Sequence, residues 1–390
     1  MIRVLTFTTL YPNAAQPVHG VFVENRIRHL AASGEVAVEV VAPVPWFPLA
    51  GAVFGRYGAF ARAPRRETRA GLTVHHPRYP VIPKLGMTLA PQLLYRAVRP
   101  FVSRLVQDGR GFDLIDAHYF YPDGVAAALL ARDLGLPVVI TARGTDVNVI
   151  PRYALPRRQL LSAIRSAAGM VAVCADLKRI LVELGAAPDR VRVLRNGVDL
   201  RQFRPVDPAV ARRQLGVTRP TLVSVGGLIP RKGHDLTIQA LAQLPGVDLL
   251  IAGEGPERGA LTELAQRLGV ADRVRLLGRM AHGDLPALYS AADAMVLASS
   301  FEGWANVLLE SMACGTPVVA TDAGGTPEVV TDPAAGVLVE RSVPALVDGV
   351  RRLLADPPGR GATRAYAEQF DWDATTRGQI ELFRDVLAAR

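Results

Sequence analysis

The sequence predicts an α/β protein made of two doubly wound parallel-sheet domains. Three observations lead there. The chain has 390 residues, too many for one comfortable core. Short apolar, β-branched runs recur along its whole length, each followed by a helix-length segment. One turn-rich stretch near the middle, residues 196–205, carries neither periodicity. Hydrophobic residues make up 49% of the chain and charged ones 21%, a globular composition rather than a disordered one.

The first series opens with IRVLTF at residues 2–7, a strand pattern. A turn-prone Tyr11-Pro12-Asn13 and Gly20 follow, then a predicted helix over 23–32 stopped by Gly34. VAVEVVAP at 36–43 reads as the next buried strand, and strand, loop, helix, strand is the unit of a parallel sheet. The pattern returns at 114–118, with a helix around 124–133, and again at 137–141, 169–174 and 191–194. The second series has strands at 221–227, 247–253, 274–278, 294–297 and 316–320. The last helix, about 373–389, carries Ile380, Phe383, Val386 and Leu387 on an apolar face and must pack on something. The expected organisation is a first domain over 1–200, a second over 201–368, and a C-terminal helix over 369–390 that returns to the first domain.

Ligands in open α/β sheets bind beyond the carboxyl ends of the strands, which selects the loops after each strand. In 225–233, VGGLIPRKG, Gly226 and Gly227 follow a strand directly, where backbone N–H groups can approach phosphate oxygens, and Arg231 and Lys232 supply positive charge. The alternative is an ordinary solvated basic turn. In FEGWANVLLESMACGTPVVAT, residues 301–321, Glu302 lies in a post-strand loop. A helix is predicted from about Asn306 to Gly315, which sets Glu310 roughly 6 Å above Asn306. The two carboxylates suit sugar hydroxyls near a helix N-terminus that favours an anion, or else they form a solvated polar face. Thr326-Pro327 reads as a second helix start after the next strand, with Thr326 as N-cap. His118 closes a strand and is either a hydrogen-bonded core histidine or a site residue. Asp146, with Arg143 nearby, is either half of a structural ion pair or part of the site.

Cys174 and Cys314 lie in apolar segments and read as small core residues of a protein in a reducing compartment. His75-His76 and Asp371-Trp372-Asp373 are the sole hints of metal ligands, and the second reads better as a cap for the final helix, so no metal is expected. No apolar run reaches the roughly 18 residues needed to span a bilayer, and the apolar start is too short for a secretory signal, which points to the cytoplasm.

The 302–321 stretch resembles the E-x7-E signature of glycosyltransferase family 4, retaining enzymes of the GT-B fold, in which two Rossmann-like domains face each other across a cleft. Thr9 to Asn13 with Gly20 to Val23, Asp116-Ala117-His118, Asn196 to Asp199, Arg231-Lys232-Gly233 and Gly253 to Pro256 extend the resemblance over the whole chain. It implies a hexose-type transferase in cell-surface polysaccharide or glycolipid assembly, with a UDP- or GDP-sugar as donor, no cofactor, and a glycan or lipid-linked acceptor. By the same resemblance Glu302, His118 and Asp146 belong to the catalytic centre, with Glu302 at the donor sugar and Glu310 at the ribose. Lys232 and Arg231 hold the diphosphate, while Gly20, Gly226, Gly227, Gly253, Arg279, Gly303, Asn306 and Val307 complete the donor site. Many members of the family carry Arg where this chain has Gly227.

Residues 1–203 hold 26 Lys+Arg against 14 Asp+Glu, a balance of +12, while the remainder stands at −3. Between 43 and 84, Trp46, Phe47, Leu49, Val53, Phe54, Tyr57 and Phe60 interleave with Arg56, Arg62, Arg65, Arg66 and Arg69. That segment is either a contact for an anionic membrane leaflet or a plain surface loop. Two rival functions remain: a nucleotide-sugar epimerase or hydrolase on the same scaffold, and a nucleic-acid binder suggested by charge alone. The second lacks any reader motif, so no nucleic-acid partner is expected.

Overall fold

The computed structural model describes every residue except 49–50, 52–54, 82–85 and 390. The chain divides into two compact units, Met1–Arg195 with Asp373–Arg390, and Asn196–Trp372. The first unit therefore ends at Arg195 rather than at 200, and the second runs to Trp372.

In the first unit the order is β1 (Ile2–Phe7), α1 (Val21–Ala32), β2 (Val36–Val41), β3 (Val44–Pro45), α2 (Gly55–Arg62), β4 (Arg66–Arg69), β5 (Leu72–His75), β6 (Arg78–Tyr79) and α3 (Gly86–Gln107). It continues through β7 (Leu114–His118), α4 (Val125–Leu134), β8 (Val138–Ala142), α5 (Thr145–Asn148), α6 (Ala154–Ser166), β9 (Gly169–Ala172), α7 (Ala175–Glu183) and β10 (Val191–Val193). The main sheet has the order β10-β9-β8-β7-β1-β2-β5-β4. Its pairs are parallel except β4 with β5. The strands β7 and β8 are buried at every position, as a sheet covered on both faces requires.

The second unit contains α8 (Pro208–Leu215), β11 (Thr221–Val225), α9 (His234–Leu241), β12 (Asp248–Ala252), α10 (Arg258–Arg267), β13 (Val274–Gly278), α11 (Leu285–Ala291) and β14 (Ala294–Leu297). Then come α12 (Asn306–Ala313), β15 (Val318–Thr321), β16 (Gly336–Val339), α13 (Val343–Ala355) and α14 (Arg360–Ala367). Its sheet order is β13-β12-β11-β14-β15-β16, all parallel, the dinucleotide-fold order with its reversal between β11 and β14.

The last helix, α15 (Asp373–Ala388), belongs to the first unit. Its Ile380, Leu382, Phe383 and Val386 share a core with Val4, Ile27 and Val139. A Cβ on Gly378 would stand 2.6 Å from a methyl of Leu194, so this glycine sets how close the helix can lie.

Thr326 is a correction to the sequence reading. Thr326–Glu328 forms a single 3-10 turn capped by Gly325, with no helix beyond it, so it offers no second helix start for an anion. Cys174 and Cys314 are free and buried. His75 pairs with Glu39 and packs on Phe101. His76 bonds the Ala42 carbonyl and Glu67. Among the described residues no group of three His, Cys, Asp or Glu could hold a metal ion, and no helix is long and apolar enough to cross a membrane. Of the 43–84 segment, Leu49, Val53, Phe54, Lys84 and the Arg56 side chain lie outside the described residues.

Candidate active site

In each sheet the point where the winding reverses places two loops side by side at the carboxyl edge. In the second unit these are the loop after β11, holding Arg231 and Lys232, and the loop after β14, holding Glu302. The Lys232 ammonium donates to Glu302 Oε1 at 2.6 Å, and the Arg231 guanidinium lies 3.4 Å from Oε2. Ser299 donates its hydroxyl to the same Oε1 at 2.6 Å. Arg231 also binds the Phe301 carbonyl at 2.6 Å, and its own carbonyl accepts from Ser300 N–H at 2.9 Å. Burial raises the Glu302 carboxyl, but Lys232 and then Arg231 outweigh it and hold the group below its ordinary value. Two cations and one ionised carboxylate leave the cluster with one surplus positive charge.

The loops touch because glycine permits it. A Cβ on Gly253 would stand 1.8 Å from the Gly226 carbonyl oxygen, an impossible approach, and Gly253 has φ +158°. This brings the β12 loop against the β11 loop, where Gly226 N–H donates to Ala252 O and Leu228 N–H to Glu254 O.

Glu310, on α12, has its own partners. His282 Nε2 is 3.2 Å from Oε1, and the Tyr289 hydroxyl donates to Oε2 at 3.1 Å. Burial first and Glu310 second keep that phenol protonated, well above its ordinary value. Asn306 opens α12 and accepts from Asn196 Nδ2 at 3.3 Å, while the Trp304 indole donates to the Asn196 carbonyl. Gly303 is buried and Val307 half-buried beside them. Arg279 stands apart from the Glu302 cluster, paired with Glu254 at 2.8 Å where both side chains are more than half exposed.

In the first unit the reversal lies between β1 and β7. Asp123 accepts from Thr9 N–H at 2.7 Å and from the Thr8 and Thr9 hydroxyls. Gly20 caps α1 in the left-handed region, and a Cβ there would meet the Leu10 carbonyl at 2.4 Å. His118, at the end of β7, is wholly buried. Its Nδ1 lies 2.7 Å from the Arg143 guanidinium, which can only donate, so the ring proton sits on Nε2, 3.2 Å from Asp116. Burial pushes the imidazole down to about 4, and it is neutral at physiological pH. Asp116 is held in turn by Gln379 of α15, and Gln379 by Arg26.

Asp146 is also fully buried. It accepts from the backbone N–H groups of Phe120, Arg143 and Gly144. In this bonding it joins the loops after β7 and β8 through their backbones, where an ion pair with Arg143 was one expectation. Tyr119, between the two, has φ +85°, a conformation that costs a non-glycine residue energy and is held by such bonds.

The description "Glycosyltransferase Family 4" matches residues 19–202, and "Glycosyl transferases group 1" matches residues 209–370. The chain belongs to glycosyltransferase family 4. The D-inositol 3-phosphate glycosyltransferase of Frankia alni is 37% identical to it over 306 residues, 71% of this chain and 75% of that protein. The enzyme of the same name from Mycobacterium tuberculosis strain F11 is 33% identical over 323 residues, 76% of this chain and 66% of its own length. Among solved structures, sucrose-phosphate synthase from Thermosynechococcus elongatus superposes with a TM-score of 0.82 at 23% identity, covering both chains fully. Anabaena HepE, solved with UDP, gives 0.75 at 23% identity over 99% of this chain and all of its own. These two show the GT-B fold.

Several polar groups of this glycosyltransferase were not singled out in the sequence. Ser299, His282 and Asp123 sit in post-strand loops, so the rule that selected the loops already contained them. Tyr289 lies inside α11 and Gln379 inside α15, and no local signal marks either, because their roles arise from packing between distant elements.

Proposed function

We propose that this glycosyltransferase moves a hexose-type sugar from a UDP- or GDP-sugar to a glycan or lipid-linked acceptor, with retention of configuration and without a metal ion. The observation that carries the reading is the Lys232–Glu302–Arg231 cluster at the reversal point of the second sheet. Bond cleavage at a sugar diphosphate leaves an anionic nucleotide and an electron-poor anomeric carbon. Lys232 and Arg231 stabilise the developing charge on the leaving oxygen, which is the larger part of catalysis for such a step. Ser299 and the two cations hold Glu302 ionised, fit to accept from sugar hydroxyls. The surplus cation then comes from the protein itself, which supports a reaction without a metal.

The relatives' name supports a second acceptor class, a phosphorylated cyclitol, for which the excess of arginine in the first unit offers partners.

The test begins with thermal stability in UDP-, GDP- and ADP-sugars. A correct donor at about 100 times its dissociation constant adds roughly 2.7 kcal/mol of stability. Incubation of that donor with each acceptor class in EDTA, followed by NMR of the product anomer, should give transfer with the donor's configuration. Glu302→Ala should abolish product while leaving the fold intact. Rapid donor turnover without an acceptor would favour a hydrolase or epimerase instead.

A further inference from the structure

We propose that the first unit docks on an anionic lipid surface through one patch formed by the starts of α3 and α6. The proposal deepens the reading of a lipid-linked acceptor and rests on it for its purpose, although lipid binding can be measured without any transfer.

Met87 and Leu89 at the start of α3 are 39% and 46% exposed, and Tyr153 and Leu155 at the start of α6 are 49% and 54% exposed. Among the described residues with large exposed hydrophobic side chains, Leu268 alone belongs to the second unit. Polar bonds join the two helix starts. Gln159 on α6 donates to the Thr88 carbonyl at 3.0 Å and to Gln92 at 3.2 Å. The Tyr121 hydroxyl lies 2.5 Å from the Met87 carbonyl and 2.9 Å from Gln159 Oε1, two acceptors that share its one proton. Leu155 lies one helical turn before Gln159 on the same face, so the two helix starts that carry these exposed side chains are neighbours.

The two segments that form the patch carry charge of one sign. No Asp or Glu occurs between Glu67 and Asp108, nor between Asp146 and Asp176. Arg152, Arg157 and Arg158 are exposed, and none has an ion pair with a described residue. A soluble surface ordinarily intersperses both signs. Unpaired arginines beside exposed Tyr and Leu fit a headgroup phosphate layer over an acyl boundary, where basic side chains meet the anionic plane and apolar ones enter below it. The patch is also well placed for an acceptor. Because α3 runs into β7 and α6 follows β8, both helix starts lie at the carboxyl edge that carries His118 and Asp146.

Flotation with vesicles of pure phosphatidylcholine, and of phosphatidylcholine and phosphatidylglycerol in equal parts, tests the proposal. The protein should float with the anionic vesicles alone. The double variant Arg157→Glu, Arg158→Glu should partition at least roughly 30-fold more weakly. Leu155→Ser should bind about tenfold more weakly. Both should keep the wild-type melting temperature. Equal binding to both vesicle types, or wild-type binding by both variants, would overturn the proposal. So would absence of binding, which would leave the patch for an acidic protein surface. Vesicle binding with no transfer to any acceptor would instead sink the functional reading and leave the docking intact.

Discussion

In both units a carboxylate five residues past a central strand reaches back to the loop after the neighbouring strand, from β7 to β1 through Asp123 and from β14 to β11 through Glu302. The geometry repeats, but the partners do not. Asp123 meets two hydroxyls and an amide, and burial drives its carboxyl up to about 7. Glu302 meets two cations, which hold it below its ordinary value. The same topological position thus becomes a near-neutral brace in one unit and a charged cluster in the other. A brace made of hydroxyls and amides fixes loops and offers an anion nothing. A carboxylate shared by two cations leaves charge that an incoming diphosphate can use.

The largest way to break this contrast is to remove the surplus. Lys232→Ala leaves Arg231 and Glu302 to cancel, so the second unit comes to resemble the first in charge. Transfer should fall roughly 10²–10³-fold in kcat/KM, the range for loss of one preorganised electrostatic donor. Steady-state kinetics with the donor found by the thermal screen measures it. A loss under tenfold would show that Lys232 serves Glu302 rather than the leaving group.

The contrast also shows what a sequence can carry. The strands were legible because buried parallel strands are continuous apolar runs, and the loops because a doubly wound sheet binds at its carboxyl edge. Glu302, Lys232 and Gly226 were legible as residues of those loops. Polar edge strands such as β4, with Arg66 and Arg69, show no run and were not foreseen. The short β16 was missed as well. Its Gly336 lies so close to β15 that a Cβ would stand 1.9 Å from the Val318 carbonyl, a constraint set by the neighbouring strand rather than by local pattern. The bonding of His118 was illegible for the same reason. It depends on Arg143 one strand away and, through Asp116, on Gln379 in the final helix.

A test of intermediate size removes that remote support. Gln379→Leu keeps the helix and the volume but leaves Asp116 and Arg26 each short of a buried bond, costing about 1–3 kcal/mol of stability. Urea denaturation measures it, and a change under about 0.5 kcal/mol would show that water takes the place of the amide.

The two carboxylates also predict opposite acid responses. Asp123 has a folded value raised from 3.8 to about 7, so the folded state binds more protons in that window and the group's contribution declines as pH rises through it. Glu302 is lowered below 4.5, so its contribution is present above that value and is lost as pH falls through the folded one. Asp123→Asn should remove a loss of stability towards neutral pH, and Glu302→Gln a loss towards acid. His118, lowered from 6.5 to about 4, adds a loss as pH falls between those values, to be read from its imidazole carbon shifts by NMR. Denaturation midpoints at several pH values follow the two carboxylate variants, and slopes of the same sign would contradict the contrast.

The smallest expected effect adds charge rather than removing it. Gly227 lies in the β11 loop, and a Cβ there would meet the Glu254 carbonyl oxygen at 3.7 Å, an ordinary contact. The position therefore accepts a side chain, unlike Gly253 nearby. Gly227→Arg raises the positive surplus of the loop. The donor KM should fall roughly three- to tenfold, about 1 kcal/mol, with kcat within about a factor of two, since a cation that meets the diphosphate before and after cleavage binds both states alike. If KM does not change, while Arg231→Ala raises it, Arg231 already occupies that role. The reversal point would then hold its full complement of charge without an arginine directly after the strand.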